Sequence, residues 1–179
     1  MLFHFTDTAR LPWIIAAGEL RPGKNKLGGF PDPDFLWATT SPLGDRTSSL
    51  PMDAYRAGAV NLVRLKLSAS DFFPWHEVLE RSAQWREEHV RALEATARHV
   101  GVDPKAWWCR NDALSMAQVQ EVHMRTYNNK TWRPVDTAIK SYLIEGTRWL
   151  GLECLGGRVS RQLTHPDGRL EYRIGNIAA

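Results

Sequence analysis

Two cysteines in 179 residues, Cys109 and Cys154, are too few for a disulfide scaffold and predict free thiols in a reducing, cytoplasmic setting. Long apolar runs are missing too. The N-terminal stretch MLFHFTDTARLPWIIAAG has no basic leader, and its run from Leu11 to Ala17 is interrupted by Pro12. That run falls far short of the ~20 residues of a membrane span. Neither a signal peptide nor a transmembrane helix is therefore expected. The six histidines never form HxxxH and the cysteines never form CxxC, which removes the common zinc spacings. No GxGxxG occurs. Gly18 to Lys24 imitates a phosphate loop, but Asn25 stands where a magnesium-binding Ser or Thr belongs. No GxSxG elbow points to a hydrolase, and there is no internal repeat or low-complexity tract.

What is present is the composition of a globular core: 43% hydrophobic and 24% charged residues. The charge is uneven. Residues 1–104 carry 12 Lys+Arg against 13 Asp+Glu, whereas residues 105–179 carry 11 against 7. The basic C-terminal part is either a solvated surface or one attracted to a polyanion such as nucleic acid.

Alternation and turn signals predict strands near 2–6, 35–40, 59–67, 106–110, 158–164 and 169–174. In the first, His4 and Thr6 share a face between Phe3 and Phe5. In the third, Val63, Leu65 and Leu67 alternate with Arg64 and Lys66, so one face is buried and the other wet. Helices are expected over Arg10–Ala17, capped by Asp7 or Thr8 and stopped at Gly18, and over 75–81, 82–100, 115–124 and 135–155. A long loop rich in Gly and Pro fills 21–34, and Asp167-Gly168 turns the last hairpin. The polar stretch at 127–131 divides a core of residues 1–126 from an extension, 127–179, made of a helix and a hairpin. The whole is α+β: a small mixed or antiparallel sheet, split around a cleft, with flanking helices.

One constellation has chemical potential. His4-Phe5-Thr6 on a first strand is followed, after a helix and the loop, by Trp37-Ala38-Thr39-Thr40-Ser41 on a second. The pattern LFHFTD…LPWIIAAGELRPG…FLWATTSP resembles the ADP-ribosyltransferase superfamily, in particular its small bacterial members, which include toxins that modify DNA bases. The resemblance covers residues 2–50. It implies an ADP-ribosyltransferase-like fold, NAD as the cofactor consumed, and a toxin or phage-conflict role with nucleic acid or protein as acceptor. It further implies that His4, with Phe5 and Thr6, holds the NAD ribose, that Trp37, Thr39 and Thr40 lie beside nicotinamide, and that Arg46 grips a phosphate. The residue types suit these tasks, since a neutral histidine both donates and accepts, Trp stacks on flat rings and Arg binds phosphate bidentately.

The superfamily also places a glutamate on a later strand. The segment that aligns there, Lys105 to Arg110, has no carboxylate, which leaves Glu171, in a Leu-Glu-Tyr context similar to that of polymerase-type relatives, and Glu121. Glu171 is preferred, although it also suits a cross-strand pair with Arg158 or Arg161. In the basic half, Arg125, Lys130, Trp132 and Arg133 interleave rings and cations as single-stranded DNA or RNA binding requires. Two other readings stay open. One is a catalytically inactive module that binds nucleotide or nucleic acid, and the other a metal-free hydrolase with His4 as base.

Overall fold

The computed structural model describes residues 1–24, 29–32, 34–44 and 51–177. Its elements, in chain order, begin with β1 (Leu2–Asp7), α1 (Leu11–Ala17), β2 (Glu19–Leu20), β3 (Leu36–Thr39), α2 (Met52–Arg56) and β4 (Leu62–Leu67). Next come β5 (Phe73–Pro74), α3 (Val78–Arg81), α4 (Glu87–His99), β6 (Trp107–Arg110) and β7 (Leu114–Ser115). The chain ends with β8 (Glu121–Arg125), β9 (Arg133–Pro134), β10 (Ile139–Ile144), β11 (Thr147–Leu152), β12 (Arg158–Thr164) and β13 (Leu170–Asn176). The protein is α+β, with few helices and mostly antiparallel strands. Among the described residues no helix is long and apolar enough to cross a membrane.

The chain forms two compact units, each assembled from separated segments. The first comprises Met1–Phe5, Leu20–Ser49 and Lys66–Gln120. Its strands run in the order β5-β6-β3-β1, with Phe3 opposite Thr39 and Trp37 opposite Cys109. The core is aromatic: Phe35, Trp75, Val78, Trp85, Ala97, Trp107 and Cys109 are buried together, with Phe30, Trp37, Phe73, Val90, Leu93 and Val102 packed against them. Phe35 stacks on Trp85 at 5.1 Å, and Trp75 meets Trp85 edge-on at 5.2 Å, the offset and T-shaped geometries that ring quadrupoles favour. Helix α4 lies on this cluster through Val90, Leu93 and Ala97, and Trp75 Nε1 donates to Glu94 on the same helix at 3.1 Å. The expected helices over 75–81 and 82–100 are shorter than the periodicity implied. A single tight turn, Trp75–Glu77, leads into α3, and α4 begins only at Glu87.

The second unit comprises Thr6–Glu19, Leu50–Leu65 and Glu121–Ala179. Asp7 does not cap helix α1, whose N-cap is Arg10 with no side-chain cap; the fully buried Asp7 carboxylate instead holds the turn before the helix, accepting from the Ala9 and Arg10 amides at 2.8 and 3.0 Å and binding the Arg10 guanidinium. Gly18, in the left-handed region at φ 74°, ends the helix. This unit also holds the antiparallel pair β8–β9 and a four-stranded antiparallel meander, β10-β11-β12-β13, and Trp13 of α1 donates to Ser160 of β12 at 2.8 Å. Two expectations fail here. The helix over 135–155 is a hairpin of β10 and β11, closed by a two-residue turn in which Glu145 and Gly146 both have positive φ, 48° and 73°. The helix over 115–124 is a three-residue turn, Met116–Gln118, followed by strand β8.

Candidate functional site

In the first unit, β1 and β3 place His4 beside Trp37. His4 Nδ1 lies 2.7 Å from the Trp37 carbonyl oxygen. A carbonyl only accepts, so Nδ1 carries the proton and, in the neutral ring, Nε2 is an acceptor. The histidine's tautomer is thereby set by the strand beside it. The Trp37 ring is half-buried and packs at 5.3 to 5.7 Å from Phe35, Trp75 and Trp107, so it braces the aromatic core. Thr39 is buried, and its Oγ1 accepts from the Ser41 amide at 3.1 Å to shape the turn after β3. Thr40 is exposed, and its amide donates to the Ala106 carbonyl at 2.9 Å. Phe5 is half-buried and lies over Gly44. Arg46 lies outside the described residues. Next to Trp37, burial pushes the Asp34 carboxyl above the usual carboxylate range, against hydrogen bonds from the Phe35 amide and the Trp37 side chain.

In the second unit, Thr6 is buried near the end of β1. The two candidate glutamates stand in unlike settings. Glu171, on β13 opposite Leu163, is fully engaged on the hairpin surface: Arg173 Nε donates to one carboxylate oxygen at 2.9 Å and His165 Nε2 to the other at 2.8 Å. These donors, Arg173 first, hold its carboxyl below the usual range. Its partners are thus Arg173 and His165, not Arg158 or Arg161.

Glu121 opens β8, where alternation puts Glu121, His123 and Arg125 on one face and Val122 and Met124 on the other. Its carboxylate is 3.7 Å from His123 Nδ1. The surroundings are cationic. The guanidinium carbons of Arg64 and Arg125 lie 4.3 and 4.7 Å from the centroid of Trp132, well inside cation–π range. Burial lowers the Arg64 guanidinium's proton affinity, the Glu121 charge raises it, and Arg125 lowers it again. Trp132 therefore holds two arginines in place near a carboxylate. Of the four residues expected to meet nucleic acid, Arg125 and Trp132 are bound up in this stack, while Lys130 and Arg133 are exposed.

The chain matches no protein-family model, no curated protein and no solved structure.

Chemically, an exposed carboxylate beside His123 and within the field of Arg64 can accept hydroxyl hydrogen bonds and oppose developing positive charge, while the arginines can take phosphate oxygens. Arg64 and His123 escape notice in the sequence as members of this group. Their signal is the strict alternation of Glu-Val-His-Met-Arg, which marks a strand with one polar face, combined with the wet face already legible in Arg64.

Proposed function

We propose that the chain is an ADP-ribosyltransferase-like protein with the corresponding fold, that it uses NAD, and that Glu121 rather than Glu171 is the carboxylate of the reaction. The observation that supports this reading best is the setting of Glu121, at the head of β8 with His123 3.7 Å away and its charge felt by Arg64, whereas Glu171 is bound by Arg173 and His165. The tautomer of His4 fits the part the resemblance gives it, since an Nε2 acceptor can receive a hydrogen bond from a ribose hydroxyl. NAD supplies a ribose whose bond to nicotinamide breaks with the electron pair leaving on the ring nitrogen, so that an acceptor can bond at the same carbon. Glu121 opposes the positive charge that this places on the sugar and orients the adjacent hydroxyl.

The test is release of nicotinamide from NAD, followed by chromatography, for wild type, His4→Ala, Glu121→Gln and Glu171→Gln, with folding checked by circular dichroism. The expected result is turnover by wild type and Glu171→Gln, and loss of it in the other two. Turnover that survives Glu121→Gln and disappears in Glu171→Gln would reverse the assignment. Binding of NAD without nicotinamide release by wild type would leave the inactive nucleotide-binding module as the correct reading.

A further inference from the structure

Within the second unit an open groove of about 660 Å³ is bounded by the end of α2, the residues before β4, the turn after β8 and the turn before β12. Arg56, Asn61, Tyr127, Asn128, Cys154 and Arg158 are its chemically active walls, and no carboxylate lines it. The two cations are weakly engaged. Arg56 has a 3.6 Å pair with a fully exposed Asp53, and Arg158 forms no ion pair among the described residues. Asn61 is 6% exposed, and among the described residues its side-chain amide nitrogen meets the Met124 sulfur, at 4.0 Å. Thioether sulfur is a weak acceptor, so a polar atom of a ligand in the groove would be a better partner for this amide than the sulfur is. Tyr127 provides a flat apolar surface, 40% exposed. Tyr55 fixes it edge-on at 5.4 Å and 90°, while donating its hydroxyl to the Thr126 carbonyl at 3.1 Å.

Two guanidiniums, one of them only loosely paired with Asp53, a fixed aromatic ring and two side-chain amides are the parts that recognise one nucleotide: phosphate, base plane and base edge. We infer that this groove binds a nucleotide unit, with Arg56 and Arg158 on phosphate, Tyr127 against the base, and Asn61 and Asn128 on polar atoms of base or sugar. The same chemistry is offered by a free mononucleotide and by one residue of a single strand. The inference stands on the groove alone and does not rest on the NAD reading.

Cys154 makes the groove its own reporter. It is exposed while Cys109 is buried, so a maleimide labels the groove wall. The experiment measures Cys154 labelling of the full chain, without NAD, in the presence of adenosine monophosphate or of a short oligothymidylate. Fluorescence anisotropy of a labelled oligothymidylate runs in parallel. Severalfold protection is expected. Protection by the mononucleotide identifies the free ligand as the source, and protection by the oligomer alone identifies the strand. Arg56→Ala, Arg158→Ala and Tyr127→Ala should each weaken binding about tenfold, a loss typical of a charged or stacking contact. If a strand is bound, each arginine removed should also lower the slope of log affinity against log salt by about one. Lysine at either arginine position should restore part of the affinity. Absence of protection by both probes in wild type overturns the inference, as does undiminished binding by the Arg56→Ala/Arg158→Ala double variant. The wild-type labelling result decides even if a variant fails to fold.

Discussion

Replacing Asp7 with Ala removes the acceptor that holds the turn before helix α1, and its cost can be worked from the local bonds. The carboxylate is fully buried and accepts two amides, at 2.8 and 3.0 Å, besides binding Arg10. Each buried donor left without an acceptor costs about 1–3 kcal/mol. Arg10 is partly exposed, its side chain 31% accessible, so water takes over much of its loss and the pair adds little more. The expected destabilisation is roughly 2–5 kcal/mol, or a fall in Tm of about 5–15 °C for a chain of this size. Asp7→Asn keeps the one oxygen that both amides use and loses the oxygen bound by the partly exposed Arg10, so roughly 1 kcal/mol is expected. The assay is urea unfolding followed by far-ultraviolet circular dichroism, with the midpoint read at constant slope. A loss below about 1 kcal/mol for Ala, against the 2–5 kcal/mol reckoned from the unmet donors, would refute the argument. So would equal losses for Ala and Asn, because the reasoning assigns the stability to hydrogen bonds that Asn can keep.

Two further outcomes follow from local geometry. Asp34, raised by burial, favours its protonated form when folded. Its contribution is therefore complete below the ordinary aspartate value and is lost as pH rises through the folded one. Asp34→Asn should be more stable than wild type at neutral pH, with the gap closing on acidification, and a gap that widens in acid would contradict the sign. At Gly151 a Cβ would stand 2.7 Å from the Arg158 carbonyl oxygen and 3.2 Å from Val159. Gly151→Ala must push β11 from β12, at about 1–3 kcal/mol, and thermal unfolding at wild-type stability would show that the strands yield freely.

Much of the framework is legible in the residues. The alternation of Val63, Leu65 and Leu67 locates β4, although the strand begins at Leu62 rather than Ala59, and Asp167-Gly168 locates the last turn. The failures have local causes. Ser115 and Gln118 carry a genuine capping box, with the Ala117 amide on Ser115 Oγ and the Ser115 amide on Gln118 Oε1, but the turn it starts lasts three residues before the chain extends into β8. The β10–β11 hairpin turns on Glu145-Gly146, where the usual signal is Asn or Asp before Gly, so its strands read as one interrupted helix. At the site, the face of His4 follows from alternation alone. The packing of Trp37 and the gathering of Arg64, Arg125 and Trp132 depend on contacts between distant segments, which no local period encodes.

The distribution of tryptophan gives the two units different optical signatures. Of the eight tryptophans, Trp37, Trp75, Trp85 and Trp107 pack within 5.2 to 6.4 Å of one another through a chain of ring contacts in the first unit, which also holds Trp108, whereas in the second unit Trp13 and Trp132 lie beside arginines and Trp149 lies against Gly175. Indoles this close share their excited states, so the first unit should give an exciton couplet in circular dichroism and transfer excitation among its rings. The cation-flanked indoles should respond instead to bound anions. One cuvette can thus follow packing in one half of the chain and ligand arrival in the other.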